Sequence, residues 1–157
     1  MRKLSLSFLL LICCFTTIHA QKNIYRTIYD PIFNVEYNYN GHTQLKAGLE
    51  HLLSENNFHY LGIGALWTQY QDKGYVIPYA HYQYIPKDKL YFAKLTASTK
   101  HLQPTVGLSL LNIFDIGVGY AIPFDQNNST PVIKGVTLSI NLRITNNQKA
   151  YQSFKVM

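Results

Sequence analysis

The stretch "GVTLSINLRI", residues 135–144, alternates without a break. Val136, Leu138, Ile140, Leu142 and Ile144 are aliphatic, while Gly135, Thr137, Ser139, Asn141 and Arg143 are small or polar. A period of two places these sets on opposite faces of a β-strand. Turned inward, the aliphatic face would form the core of a soluble barrel or sandwich. Turned outward, it would meet lipid. The rest of the chain has to decide between them.

Seven segments upstream share the pattern. The first covers residues 33–39 and ends at Asn40-Gly41, a strong hairpin signal. Residues 43–52 precede "SENN", 58–70 precede "QDKG", 75–84 precede "IPKDK", and 90–98 precede "TKHLQ". Residues 104–111 and 114–123 follow, the latter running into "FDQNNST". The eighth segment extends over residues 132–144. Short connections make sequence neighbours pair as antiparallel hairpins, so the expected fold is all-β, an antiparallel up-and-down eight-stranded barrel. Several segments have the ~9–11 residues that a tilted transmembrane strand needs. The stretch "IYRTIY", residues 24–29, is open between a ninth strand and an extension of the first, interrupted at Pro31.

One face of this barrel carries Phe33, Val35, Tyr37 and Tyr39, then Leu45, Leu49, Leu61, Ile63, Trp67, Val76, Tyr82, Leu95, Val106, Leu108, Ile116 and Val118, then the aliphatic set above. No charge interrupts it within a strand. The other face carries Asn34, Glu36, Asn38, Gln44, Lys46, Gly48, Glu50, Gly62, Gly64, His81, Lys94, Gly107, Asp115, Gly117 and Gly119, with a few large residues such as Tyr60 and Phe92. A water-facing sheet usually carries many long charged residues and few glycines. This face does the opposite, and a crowded narrow lumen explains the glycines better. Its charges also balance: Glu36, Glu50 and Asp115 against Lys46, Lys94 and Arg143, with His81 among them. Buried charges must be paired. These seven residues are therefore expected to form a structural network in the lumen, with Arg143 near a carboxylate. The apolar face is then expected to point outward into a bilayer, with tyrosines near the strand ends forming interfacial girdles.

The chain opens "MRKLSLSFLLLICCFTTIHA". Arg2 and Lys3 precede a short apolar run and Ala20, which reads as a secretory signal peptide cleaved before Gln21. The run is shorter than the ~20 apolar residues of a spanning helix. Both cysteines, Cys13 and Cys14, lie inside it, and Ile12 before Cys13 is not the small residue that lipidation wants. The expected organisation is signal peptide 1–20, lead-in 21–32, barrel 33–144 and polar tail 145–157. Without Arg2 and Lys3, 12 of the 14 basic residues remain against 8 acidic ones. That mild excess is unlike the clustered Lys and Arg of a nucleic-acid surface. Charged residues make up 14% of the chain, against ~25% in ordinary soluble domains.

The residues give no sign of catalysis. His42 and His101 fall in expected turns and His51 and His59 at expected strand ends, where solvent accounts for them; His81 faces the lumen. Ser98, Ser109 and Ser139 have no evident base beside them. The histidine spacing gives no metal motif. "GIGALW" and "DIGVGY" lack the third glycine and helix of a nucleotide fingerprint. No catalytic residue, cofactor or metal is expected.

Within the mature part, residues 21–157, the stretch 33–144 resembles the small eight-stranded outer-membrane barrels of Gram-negative bacteria, of OmpA/OmpX type. "HAQKN", "GLSLLNIFDIGVGYAIPF" and "GVTLSINLRI" are similar in style to small uncharacterised barrels of the Bacteroidetes group. The resemblance implies a monomeric integral membrane protein whose partner is the lipid bilayer, with a structural, adhesive or partner-binding role. Such barrels commonly end on an aromatic residue that closes the last strand; here Phe154 would serve only if the tail also paired. Two alternatives stand beside this reading. A secreted or periplasmic soluble barrel would reverse the faces and bind an apolar small molecule. A small pore would need an open lumen.

Overall fold

A computed structural model describes residues 31–54, 57–71, 73–124 and 131–151. The segments read as signal peptide and lead-in up to residue 30, including "IYRTIY", lie outside the described residues, as do "NNST" and Phe154. Eight strands follow one another: β1 Ile32–Tyr39, β2 Thr43–Ser54, β3 Phe58–Tyr70, β4 Lys73–Ile85, β5 Tyr91–Ser98, β6 His101–Leu110, β7 Phe114–Pro123 and β8 Gly135–Ile144. Each pairs antiparallel with the next, and β1 closes on β8 from Phe33↔Ile144 to Tyr39↔Leu138. The up-and-down barrel expected from the alternation is the fold that forms. Below, the end at which β1 begins and β8 finishes is the lower end.

Eight boundaries differ from the sequence reading, and four of them have a clear local reason. β4 starts at Lys73 because Tyr70 and Lys73 already pair across a tight turn, with Gln71 at a φ of 49°. β6 starts at His101 because the Ser98 hydroxyl closes the preceding turn, accepting the amides of Lys100 at 3.1 Å and His101 at 3.0 Å. The turn is therefore only Thr99 and Lys100 long, and His101 belongs to the strand. β6 ends at Leu110 because Leu111 and Asn112 both adopt positive φ, 55° and 58°. The Ile113 amide reaches the Leu110 carbonyl at 3.0 Å, which makes this a type I′ turn. β8 starts at Gly135, whose φ of +95° breaks the extended run; residues 131–134 are not strand, and Ile133 is buried.

Side chains alternate in burial along every strand. The aliphatic set lies outside, with Val76 71% and Ile63 67% exposed, while Arg143, Lys46 and Glu50 are at most 1% exposed. Apolar clusters lie toward both ends of the lumen. Ile32, Phe58, Tyr60, Ile85 and Phe92 form the lower one together with Ala150. Leu66, Ile77, Tyr79, Ala121 and Ile133 form the upper one. Ala150 belongs to a short 3-10 helix, Gln148–Ala150, that follows β8. Its carbonyl accepts the Tyr60 hydroxyl at 2.6 Å, so the first part of the polar tail is tied across the lower mouth.

Glycines make room for the lumen rings. Gly48 and Gly64 face each other across β2 and β3; a Cβ on Gly64 would lie 2.8 Å from the Tyr79 hydroxyl and nearer still to the Ala47 carbonyl. Gly107 and Gly117 similarly accommodate Phe92. Overpacking of this kind costs about 1–3 kcal/mol. Gly64→Ala is therefore expected to lower stability by that amount in urea unfolding. Leu111→Asn, which relieves a left-handed leucine, is expected to raise it by about 1 kcal/mol.

Candidate functional site

The lumen is where this sequence concentrates its ionisable residues. Inward positions of β1, β2, β4, β5, β7 and β8 bring all seven sequence-named residues, Glu36, Lys46, Glu50, His81, Lys94, Asp115 and Arg143, into the interior. They form two groups. In the upper group Glu36 binds both lysines: Lys46 Nζ donates to Oε1 at 3.1 Å, and Lys94 Nζ donates to Oε2. Lys46 and Glu36 are paired neighbours on β1 and β2, whereas Lys94 reaches Glu36 from across the barrel. Lys46 also donates to Gln103 Oε1 at 3.2 Å, and its ammonium lies 5.7 Å from the Tyr79 ring centre.

Arg143 organises the lower group. Its Nε donates to Glu50 Oε2 at 2.6 Å, and its Nη1 donates to the Asn112 carbonyl at 3.4 Å and forms an ion pair with Asp115 Oδ2 at 2.7 Å. Its Nη2 donates to Gln83 Oε1, and its plane lies over the Tyr60 ring, 4.7 Å from the centre. His81 Nε2 donates to the other Glu50 oxygen at 2.9 Å. Asp115 Oδ2 also accepts Gln83 Nε2 and Asn141 Nδ2, both at 3.0 Å. Each guanidinium nitrogen thus has an acceptor, the arrangement that makes a buried arginine tolerable.

Neutral partners complete both groups and are harder to see in the sequence. Gln83 and Asn141 sit at inward positions of β4 and β8, which period two alone locates. Gln103 was hidden because "TKHLQ" reads as a turn. His101 needs correction for the same reason: it is not a solvated turn residue but a fully buried lumen residue. Ser98 Oγ lies 2.8 Å from His101 Nδ1, so the serine does have a histidine beside it. The same oxygen accepts two backbone amides, and the pair's evident work is to close the β5–β6 turn. Ser109 and Ser139 are also buried. Among the described residues no three His, Asp or Glu side chains are grouped to hold a metal ion. His59 lies outside the barrel near the lower end, against Tyr82 and Tyr84, with ring centres 5.9 and 4.9 Å away. His42 meets the edge of Tyr70 at the upper end, and His51 is half-buried on β2.

Chemically, the lumen fastens strands to one another across the barrel: β8 to β2 and β7 through Arg143, β5 to β1 through Lys94, and β2 to β6 through Lys46. Comparisons with protein-family models, curated proteins and solved structures find no match to this chain.

Removing one partner of a buried ion pair costs about 3–5 kcal/mol because the remaining charge is left alone. Arg143→Met is expected to destabilise the barrel by that amount in urea unfolding. Adding Glu50→Gln and Asp115→Asn to the same chain is expected to recover most of the loss, which separates charge burial from lost packing.

Proposed function

We propose that the protein is an integral outer-membrane β-barrel of OmpA/OmpX-like architecture, exported to the envelope of a Gram-negative cell. Its role is structural, adhesive or partner-binding, without catalysis. The observation that carries this reading is the inverted distribution of side chains. The barrel turns its aliphatic residues outward and hides paired charges inside. Contiguous exposed apolar surface on this scale marks contact with lipid or with another protein, and a closed barrel satisfies every backbone group that a bilayer cannot.

The outer face has the zoning that a bilayer favours. Tyr37, Tyr39, Trp67 and Tyr120 are exposed toward the upper end, and Tyr82, Tyr91 and Phe33 toward the lower. Between them lie Leu49, Ile63, Val106, Ile116, Val118, Leu138 and Ile140. Aromatic girdles around an aliphatic band about 25 Å tall are the mark of transmembrane barrels. No helix among the described residues is long and apolar enough to cross a membrane, so any crossing would be by strands. The soluble alternative needs an apolar lumen for its ligand, whereas this lumen is lined by paired charges and amides. A pore needs an open path, whereas side chains of opposite strands touch across the lumen and apolar clusters lie toward both ends.

After cell fractionation the protein is expected in the outer-membrane pellet, resistant to carbonate, with a heat-dependent shift in gel mobility. Recovery as a soluble monomer without detergent would contradict the proposal. Ile116→Arg, at the middle of the outer face, is expected to cost about 2–4 kcal/mol in bilayers.

A further inference from the structure

We propose that the upper half of the lumen binds one small monovalent anion of halide size. The site lies beside the Lys46–Lys94 pair, on the side of Asn38, one inward position above Glu36 on β1. It does not depend on what the outer face meets, since every residue involved is interior.

The first argument is charge. Two ammonium groups share the single carboxylate of Glu36, so this fully buried group carries one uncompensated positive charge. Each ammonium has three N–H donors. Lys46 uses two, on Glu36 and Gln103, and Lys94 uses one, on Glu36. The other three have no acceptor among the described residues. The balancing negative charge belongs to Glu50 and Asp115 around Arg143. Glu50 lies four residues from Lys46 along β2, about 13 Å at the rise of an extended strand, too far to serve those donors. The lower group shows the contrast, because there each guanidinium nitrogen of Arg143 has an acceptor.

The second argument is independent and concerns the next lumen layer. Asn38 follows Glu36 by one inward position, Gln44 precedes Lys46, Thr96 follows Lys94, and His101 precedes Gln103. Their strands, β1, β2, β5 and β6, already meet across the lumen one layer below. Asn38 Nδ2 and Oδ1, Gln44 Oε1, Thr96 Oγ1 and His101 Nε2 all lack a hydrogen-bond partner among the described residues, and the four residues are at most 1% exposed. Ser98 occupies His101 Nδ1, which leaves Nε2 to the interior. Buried polar atoms in a native fold are satisfied by protein, water or an ion. Lys46, Lys94, Asn38 and Thr96 thus offer unpaired N–H and O–H donors from inward positions of β1, β2 and β5, beside the excess positive charge. An anion fits that set, and water bound beside it serves the acceptor oxygens of Asn38 and Gln44.

The test uses the whole folded protein, in detergent or in buffer. Its unfolding midpoint, read from tryptophan and tyrosine fluorescence, is followed as gluconate is replaced by chloride or bromide at constant ionic strength. A saturating rise with halide is expected, as for any ligand that binds only the folded state. Lys94→Met leaves Glu36 and Lys46 as a neutral pair and is expected to abolish the halide dependence. Crystals grown in bromide are expected to show an anomalous peak touching Lys46 Nζ and Lys94 Nζ. An equal midpoint in halide and gluconate would overturn the proposal. So would a halide response that survives Lys94→Met, or water alone at that position in the bromide crystals.

Discussion

Arg143 lies almost fully buried between Glu50 of β2 and Asp115 of β7, and much of the barrel is arranged around that contact. A lumen this narrow has no bulk water to solvate a guanidinium. The arginine is stable there only if carboxylates and amides reach it from several strands at once. That requirement ties the last strand to β2 and β7, and through Glu50 to His81 of β4. Tyr60 covers the guanidinium plane and passes its hydroxyl to the Ala150 carbonyl, so the same contact also holds the tail segment at the lower mouth. With the polar side chains committed inward, the alternation of each strand leaves the aliphatic residues outside.

The alternation made much of this legible. Residues 58–70 and 114–123 form strands with the bounds read from the sequence, because clear turn residues flank them. The inward glycines were readable as marks of crowding, and Gly64 and Gly107 do sit against the Tyr79 hydroxyl and the Phe92 ring. That Arg143 faces a carboxylate followed from the balance of inward charges. Which carboxylates it meets did not follow. The stagger between strands decides which residues face each other across a closed barrel, and period two within one strand carries no information about stagger.

The misreadings share a physical cause. Where a side chain rather than the backbone pattern ends an element, composition misleads. Ser98 closes a two-residue turn with its own hydroxyl, so "TKHLQ" looks like a loop while His101 and Gln103 are lumen residues. Gly135 takes a positive φ inside what reads as a continuing strand, and Ile133 turns into the upper mouth instead. Gln148–Ala150 has no periodicity at all; it is held by two hydrogen bonds to the Ala150 carbonyl, from Tyr60 and Asn112. Neutral amides such as Gln83 were overlooked because charge draws attention, although a buried arginine needs amides as much as carboxylates.

The central claim is that β8 turns its aliphatic residues toward lipid and its polar residues toward a closed interior. A scan of single cysteines from Val136 to Arg143, in protein reconstituted into bilayers, tests it most directly. Each cysteine carries a fluorophore, quenched either by a lipid-bound or by a water-soluble reagent. The account predicts quenching by the lipid-bound reagent at 136, 138, 140 and 142, with protection from both reagents at 137, 139, 141 and 143. Quenching of the even positions by the water-soluble reagent, with none from lipid, would contradict it.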